Sequence, residues 1–209
     1  MKPLSLDRIF KETKSALVVI DVQNEFCHPD GAFGKRGLDT SIVRKMMPAI
    51  HKLIDGAHKY DVPVIFVKNV EDKTTYSYQW EMRPDGDEDI ANIGICQRGT
   101  WNVELYDLEV SDDDYVIEKH RFSAFVNTHL YSLLRNLKVE TVVLVGCATN
   151  VCVETTARHA CCLDYFVVVA EDGCGTWFKP AHDGAIENIK RFFGKVTDSD
   201  TIVKLWAEE

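Results

Sequence analysis

The chain reads as an α/β protein, a three-layer α/β/α sandwich around a six-stranded parallel sheet. Short apolar runs alternate with amphipathic stretches, which is how strand and helix are laid down in turn to build a parallel sheet. The runs ALVVI (from Ala16), TVVLV (from Thr141) and FVVVA (from Phe166) are apolar at nearly every position rather than every second one. Strands covered by helices on both faces require that pattern. The 209 residues, 45% hydrophobic and 27% charged, suffice for a single domain, 1–209, with a sizeable core.

Six strands are expected: Ala16–Ile20, Pro63–Lys68, Tyr115–Glu118, Thr141–Val145, Tyr165–Ala170 and a short one near Lys195–Thr197. After the first, Ile42, Met46, Ala49, Ile50, Leu53, Ile54 and Ala57 recur at helical spacing, with Thr40 or Ser41 placed to cap the helix. Asn127–Leu137, Val151–Leu163 and Ala181–Phe193 repeat the helical pattern, and Gly194 ends the last. The stretch Asn69–Leu108 lacks clear periodicity although it carries Tyr76, Tyr78, Trp80, Pro84, Gly86 and Trp101. A loop this long in a compact domain is usually functional or a partner surface.

A net charge of -9 and a pI near 5.3 argue against nucleic-acid or anionic-membrane partners, which call for a basic face. No apolar run is long enough to span a bilayer, and the first residues lack the apolar stretch of a secretory signal, so a soluble cytoplasmic protein is expected. Seven cysteines (27, 96, 147, 152, 161, 162 and 174) form an odd set in such a chain and read as free thiols. The pairs Cys147/Cys152 and Cys161/Cys162 lack the C-x-x-C spacing of structural zinc sites.

In an open parallel sheet, ligands bind at the carboxyl ends of the strands, so residues just after each apolar run carry the information. Asp21 follows the first run directly; alone it reads equally well as a turn aspartate. Lys119 ends the third strand, where a lysine is ordinarily a solvated edge charge. The fourth run leads through Gly146, Cys147 and Ala148 into a helix capped by Thr149 or Asn150, which puts Cys152 in the first helical turn. There a thiol feels the positive end of the helix dipole, and a neighbouring ammonium would lower its pKa further and raise the thiolate fraction at neutral pH. Cys152 is the thiol best placed to attack; Cys161 and Cys162 read as packing residues.

Three segments in this order, DVQNEF from Asp21, EKHRFSAF from Glu118 and GCATNVCVETTARHA from Gly146, together resemble the isochorismatase-like cysteine hydrolases. The resemblance implies a catalytic triad of Asp21, Lys119 and Cys152, in which Lys119 stabilises the thiolate and Asp21 carries the thiol proton to the leaving nitrogen. It also implies a cis peptide between Cys147 and Ala148, an oxyanion hole made by the N–H groups of Ala148 and Cys152, and assembly as a homo-oligomer, a dimer or tetramer.

The family includes nicotinamidases, isochorismatases and hydrolases of carbamoyl and ureido compounds. Nicotinamidases resemble one another in an Asp-x-His metal pair after the second strand; this chain has Asn69-Val70-Glu71-Asp72 there and no histidine before His120, so no metal or other cofactor is expected. Isochorismate cleavage needs no nucleophilic thiol, and Cys152 therefore favours C–N cleavage of a small amide or ureido substrate. The segments NEFCHPDGAFGKRGLD and RGTWNVEL look most like the ureidoacrylate, biuret and N-carbamoylsarcosine branch, with Asn102 standing where relatives often carry glycine. Asn24, Phe26, Trp101, Phe125 and Thr149 are candidate substrate contacts, a few polar groups among apolar walls. Tyr76, Tyr78 and Trp80 are candidates for the mouth or a subunit contact. The alternatives are a vinyl-ether hydrolase and a non-catalytic binding or scaffold protein of the same fold.

Overall fold

The computed structural model describes residues 4–82 and 94–208; Pro84 and Gly86 lie outside the described residues. Six strands, β1 (Ser15–Ile20), β2 (Val64–Asn69), β3 (Tyr115–Lys119), β4 (Thr141–Cys147), β5 (Phe166–Gly175) and β6 (Lys195–Thr197), form one sheet in the order β3-β2-β1-β4-β5-β6. Every neighbouring pair is parallel. Helices α1 (Leu6–Glu12), α2 (Asn24–Cys27), α3 (Ala32–Lys35), α4 (Thr40–Arg44), α5 (Met47–Lys59), α6 (Tyr78–Glu81), α7 (Leu130–Asn136), α8 (Glu154–Cys162), α9 (Lys179–Asn188) and α10 (Ser199–Trp206) join and cover the strands. None is long and apolar enough to cross a membrane, among the described residues.

The all-apolar strands have the physical basis expected of them. Leu17, Val19, Val143 and Val145 enter a core closed by Phe10 of α1, Ile50 and Leu53 of α5, and Ile202 and Trp206 of α10. Ala16, Val18, Ile20, Val142 and Leu144 face a second core with Leu130 and Leu134 of α7, Ala157 of α8 and Ile186 of α9. Alternate residues of one strand thus serve opposite layers. Trp206 is 1% exposed, and its indole N–H donates to Ser15 Oγ at 2.9 Å.

Several helix boundaries depart from the periodic reading. The single helix expected through Ile42–Ala57 is two, because Pro48 in the first turn of α5 has no N–H to continue the ladder from α4. Asp39, rather than Thr40 or Ser41, caps α4, its Oδ1 accepting from Ser41 N at 2.9 Å. Asn127 has φ 56, so α7 starts only at Leu130. The chain from Thr149 to Val153 forms a π-turn, with Val153 N–H donating to Ala148 O at 3.3 Å and no side-chain cap. Helices α1 and α10, at the two ends of the described chain, were not anticipated.

Gly146 decides how closely β1 and β4 approach. Its φ is +117, and a Cβ there would lie 2.0 Å from the Ile20 carbonyl oxygen. Gly146→Ala is expected to cost about 2 kcal/mol or more through backbone strain and overpacking, read as a lower midpoint in urea unfolding. An unchanged midpoint would show that the two strands can part at this point.

Candidate active site

The strand order sets the site at the carboxyl ends of β1 and β4, where the chain's path across the sheet reverses direction. Asp21 follows β1 with φ 53, a left-handed conformation that aspartate tolerates better than most residues. Lys119 closes β3, two strands away, and is 1% exposed, so it is no solvated edge charge. Since β2 lies between β3 and β1, the lysine side chain must reach past the end of β2 to meet Asp21. Its Nζ lies 2.7 Å from Asp21 Oδ2, 3.5 Å from Cys152 Sγ and 3.1 Å from the Arg121 carbonyl oxygen. The three residues expected to form the triad are therefore brought together.

Their electrostatics correct one part of the sequence reading. Burial pushes the Cys152 thiol pKa up, the Asp21 charge pushes it further, and Lys119 offsets only part of this. Burial thus favours the thiol over the thiolate, against the lowering that the sequence position implied. Burial likewise raises the Asp21 carboxyl above its ordinary value against the pull of Lys119. For Lys119, burial alone would depress the pKa, but Asp21 and Cys152 together raise it, and the ammonium stays charged. The cluster sets a buried ammonium beside a carboxyl group whose basicity burial enhances, with a thiol at its edge.

Cys152 and Asp21 open on a cavity of ≈ 130 Å³, small beside the ~300–1,000 Å³ of drug-sized sites. Phe26, Phe33, Ile95, Phe122, Val151 and Trp177 wall it, and Asn69, Cys147 and Ala148 complete the lining. The Cys147–Ala148 peptide is cis. Asn69 is fixed by Gln23, whose side-chain amide accepts from Asn69 N at 2.8 Å and donates to Asn69 O at 2.9 Å. The Asn69 backbone is thereby engaged, while its Oδ1 is buried without a partner among the described residues. Phe122 is backed by Trp80 at 4.9 Å between ring centroids, and the Arg121 guanidinium sits 4.5 Å over the Trp80 ring.

Of the five expected substrate contacts, Phe26 lines this cavity and the other four do not. Asn24 turns its amide to the Trp101 carbonyl at 3.1 Å, and Trp101 itself is 50% exposed, edge-on to His28. Phe125 packs between His159 and Tyr165, and the Thr149 hydroxyl pairs with His182 Nδ1 at 2.9 Å. His159 also pairs with Ser123 Oγ at 2.9 Å. Asn102 faces the buried carboxylate of Glu25 rather than the cavity.

Sequence reasoning missed Asn69 and Trp177. Asn69 directly follows the second apolar run, the same signal that drew attention to Asp21. Trp177 was hidden because β5 continues five residues past its apolar run, from Glu171 to Gly175, before the chain reaches the site. Among the described residues no group of three or more His, Cys, Asp or Glu side chains is arranged to hold a metal ion.

Comparison with known proteins agrees with this architecture. The chain is 34% identical over 202 residues to the ureidoacrylate amidohydrolase of Acinetobacter baylyi, covering 91% of this chain and 82% of that protein. Among solved structures, N-carbamoylsarcosine amidase from Thermoplasma acidophilum matches with a TM-score of 0.73 at 31% identity, covering 90% of this chain and 97% of the other. A cysteine hydrolase from Pseudomonas syringae pv. phaseolicola has the same fold, with a TM-score of 0.82 at 24% identity over 100% of this chain and 96% of its own. The isochorismatase domain model matches residues 15–201, the span that carries all six strands and the Asp21, Lys119 and Cys152 cluster, and the chain belongs to the isochorismatase family.

Proposed function

We propose that the chain is a cysteine amidohydrolase that cleaves the C–N bond of a small amide or ureido compound, with Cys152 as nucleophile, Asp21 as proton carrier and Lys119 as their fixed counter-charge. The observation that carries this reading is the buried Lys119 ammonium, 2.7 Å from Asp21 and 3.5 Å from Cys152, beside a cavity sized for a small molecule. The ureidoacrylate and N-carbamoylsarcosine specificities of the relatives support the ureido class.

The steps follow from the charges. Asp21 takes the thiol proton as Cys152 Sγ bonds to the substrate carbonyl carbon, and the carbonyl π pair moves to oxygen. Lys119 stays protonated and holds the developing thiolate. The N–H groups of Ala148 and Cys152 are assigned to the oxyanion, a service commonly worth about 3 kcal/mol of transition-state stabilisation per donor. Collapse of the tetrahedral species breaks the C–N bond, and the proton on Asp21 passes to the leaving nitrogen. Water then attacks the thioester or carbamoyl-thioester, gives its proton to Asp21, and releases Cys152 as the thiol.

Cys152→Ala is expected to lower ammonia release from ureido compounds by at least about 10³-fold with an unchanged fold by circular dichroism. Substantial residual turnover would remove Cys152 from the nucleophile role. A second expectation separates the two charges. Since Asp21 raises the thiol pKa and Lys119 lowers it, Asp21→Asn should move the pH midpoint of Cys152 alkylation down, and Lys119→Met should move it up. Both variants should lose turnover, and shifts of the same sign in the two would overturn the assignment of charges. On the acid side, wild-type kcat/KM should fall as pH drops through an Asp21 pKa above the ordinary 3.8, because protonated Asp21 cannot accept the thiol proton.

A further inference from the structure

One residue of the cavity lining carries a polar atom that the proposed chemistry does not use. Trp177 Nε1 is buried and has no hydrogen-bond partner among the described residues, although its ring lines the cavity beside Cys152. Orphaned buried donors are rare in folded proteins, and an indole N–H can donate but never accept. The ring is held by packing against Phe33, at 4.5 Å between centroids, and Phe26, at 6.4 Å, so the direction of its N–H is set before a ligand arrives.

The strand order gives this donor a definite place. Asn69 ends β2, Asp21 and Cys152 follow β1 and β4, and Trp177 follows β5, so the sequence across the cavity is acceptor, reacting groups, donor. No Lys, Arg or His stands among the described residues that line the cavity, and Asp21 adds a carboxylate. An anionic ligand group placed there would lose its water without gaining a counter-ion from the described lining.

We infer that Trp177 is the specificity-determining residue of this site, its N–H binding a neutral carbonyl oxygen on the non-reacting end of an uncharged ureido substrate. The inference rests on the amidohydrolase reading above. The substrate it describes has an amino group that donates to Asn69 Oδ1, a carbamoyl carbon at Cys152, and a second carbonyl within reach of Trp177, the pattern of an acylurea. Relatives that act on ureido acids would then differ from this chain in the charge of the group they read.

The test compares three compounds: N-acetylurea, the similar-sized N-propylurea that lacks the second carbonyl, and the anionic ureidoacrylate. Ammonia release is followed with wild type and Trp177→Phe, a change that keeps an aromatic wall, and inhibition constants serve where turnover is too slow. Loss of one neutral donor should lower kcat/KM for N-acetylurea about tenfold and for N-propylurea by less than about twofold, the intrinsic reactivity of each compound cancelling in the ratio. Wild type should also prefer N-acetylurea to ureidoacrylate. Equal losses on both neutral compounds, or a wild-type preference for the anion, would overturn the inference while leaving the amidohydrolase reading intact. Absence of Cys152-dependent ammonia release from all three, and from a wider panel of amides, would defeat that reading and this inference with it.

Discussion

A carboxylate and an ammonium, Asp21 and Lys119, are each 1% exposed and meet at 2.7 Å, and the arrangement of the site depends on that contact. Taking either ion out of water alone costs several kcal/mol, and only close pairing with further hydrogen bonds offsets it. Lys119 has the Arg121 carbonyl as a third partner besides Asp21 and Cys152, which ties the end of the edge strand to the middle of the sheet. A cavity floor built in this way resists rearrangement, because moving one partner leaves the other charge buried and unpaired.

The same burial that fixes the pair controls the thiol. Burial raises the pKa of both Cys152 and Asp21, favouring the thiol over the thiolate and making the carboxylate more basic. A thiol in its protonated form is less open to adventitious electrophiles and oxidants than a thiolate. The aromatic walls contribute by excluding water, which strengthens each of these interactions.

Around this centre the polar groups are sorted by whether the fold uses them. Gln23 engages the backbone of Asn69, Glu25 accepts from Cys96 N at 3.0 Å, and Thr149 and His182 satisfy one another. Besides the Asp21 carboxylate, the lining residues carry two polar atoms without a hydrogen-bond partner among the described residues, Asn69 Oδ1 and Trp177 Nε1, one acceptor and one donor on opposite sides of the reacting groups. Rigid placement of a few such groups is how a small cavity discriminates, since a ligand that fails to match leaves them buried and unpaired.

The sequence by itself determined the layers and the strands, and it singled out Asp21, Lys119 and Cys152, which the fold brings together. Runs apolar at every position imply helices on both faces, and residues directly after such runs fall at the ligand-binding edge wherever strand and apolar run end together, as at Asp21 and in the chain after Gly146. Helix boundaries were less legible, since Pro48, Asn127 and the π-turn before α8 act through local backbone geometry that hydrophobic periodicity does not record. Only the tertiary structure decided the direction of the thiol's pKa shift, the neighbours of Thr149 and Phe125, and the arrival of Trp177 opposite Asn69. Each of these depends on side chains distant in sequence meeting where water is excluded, and burial and distance, which set pKa and pairing, exist only once the sheet has assembled.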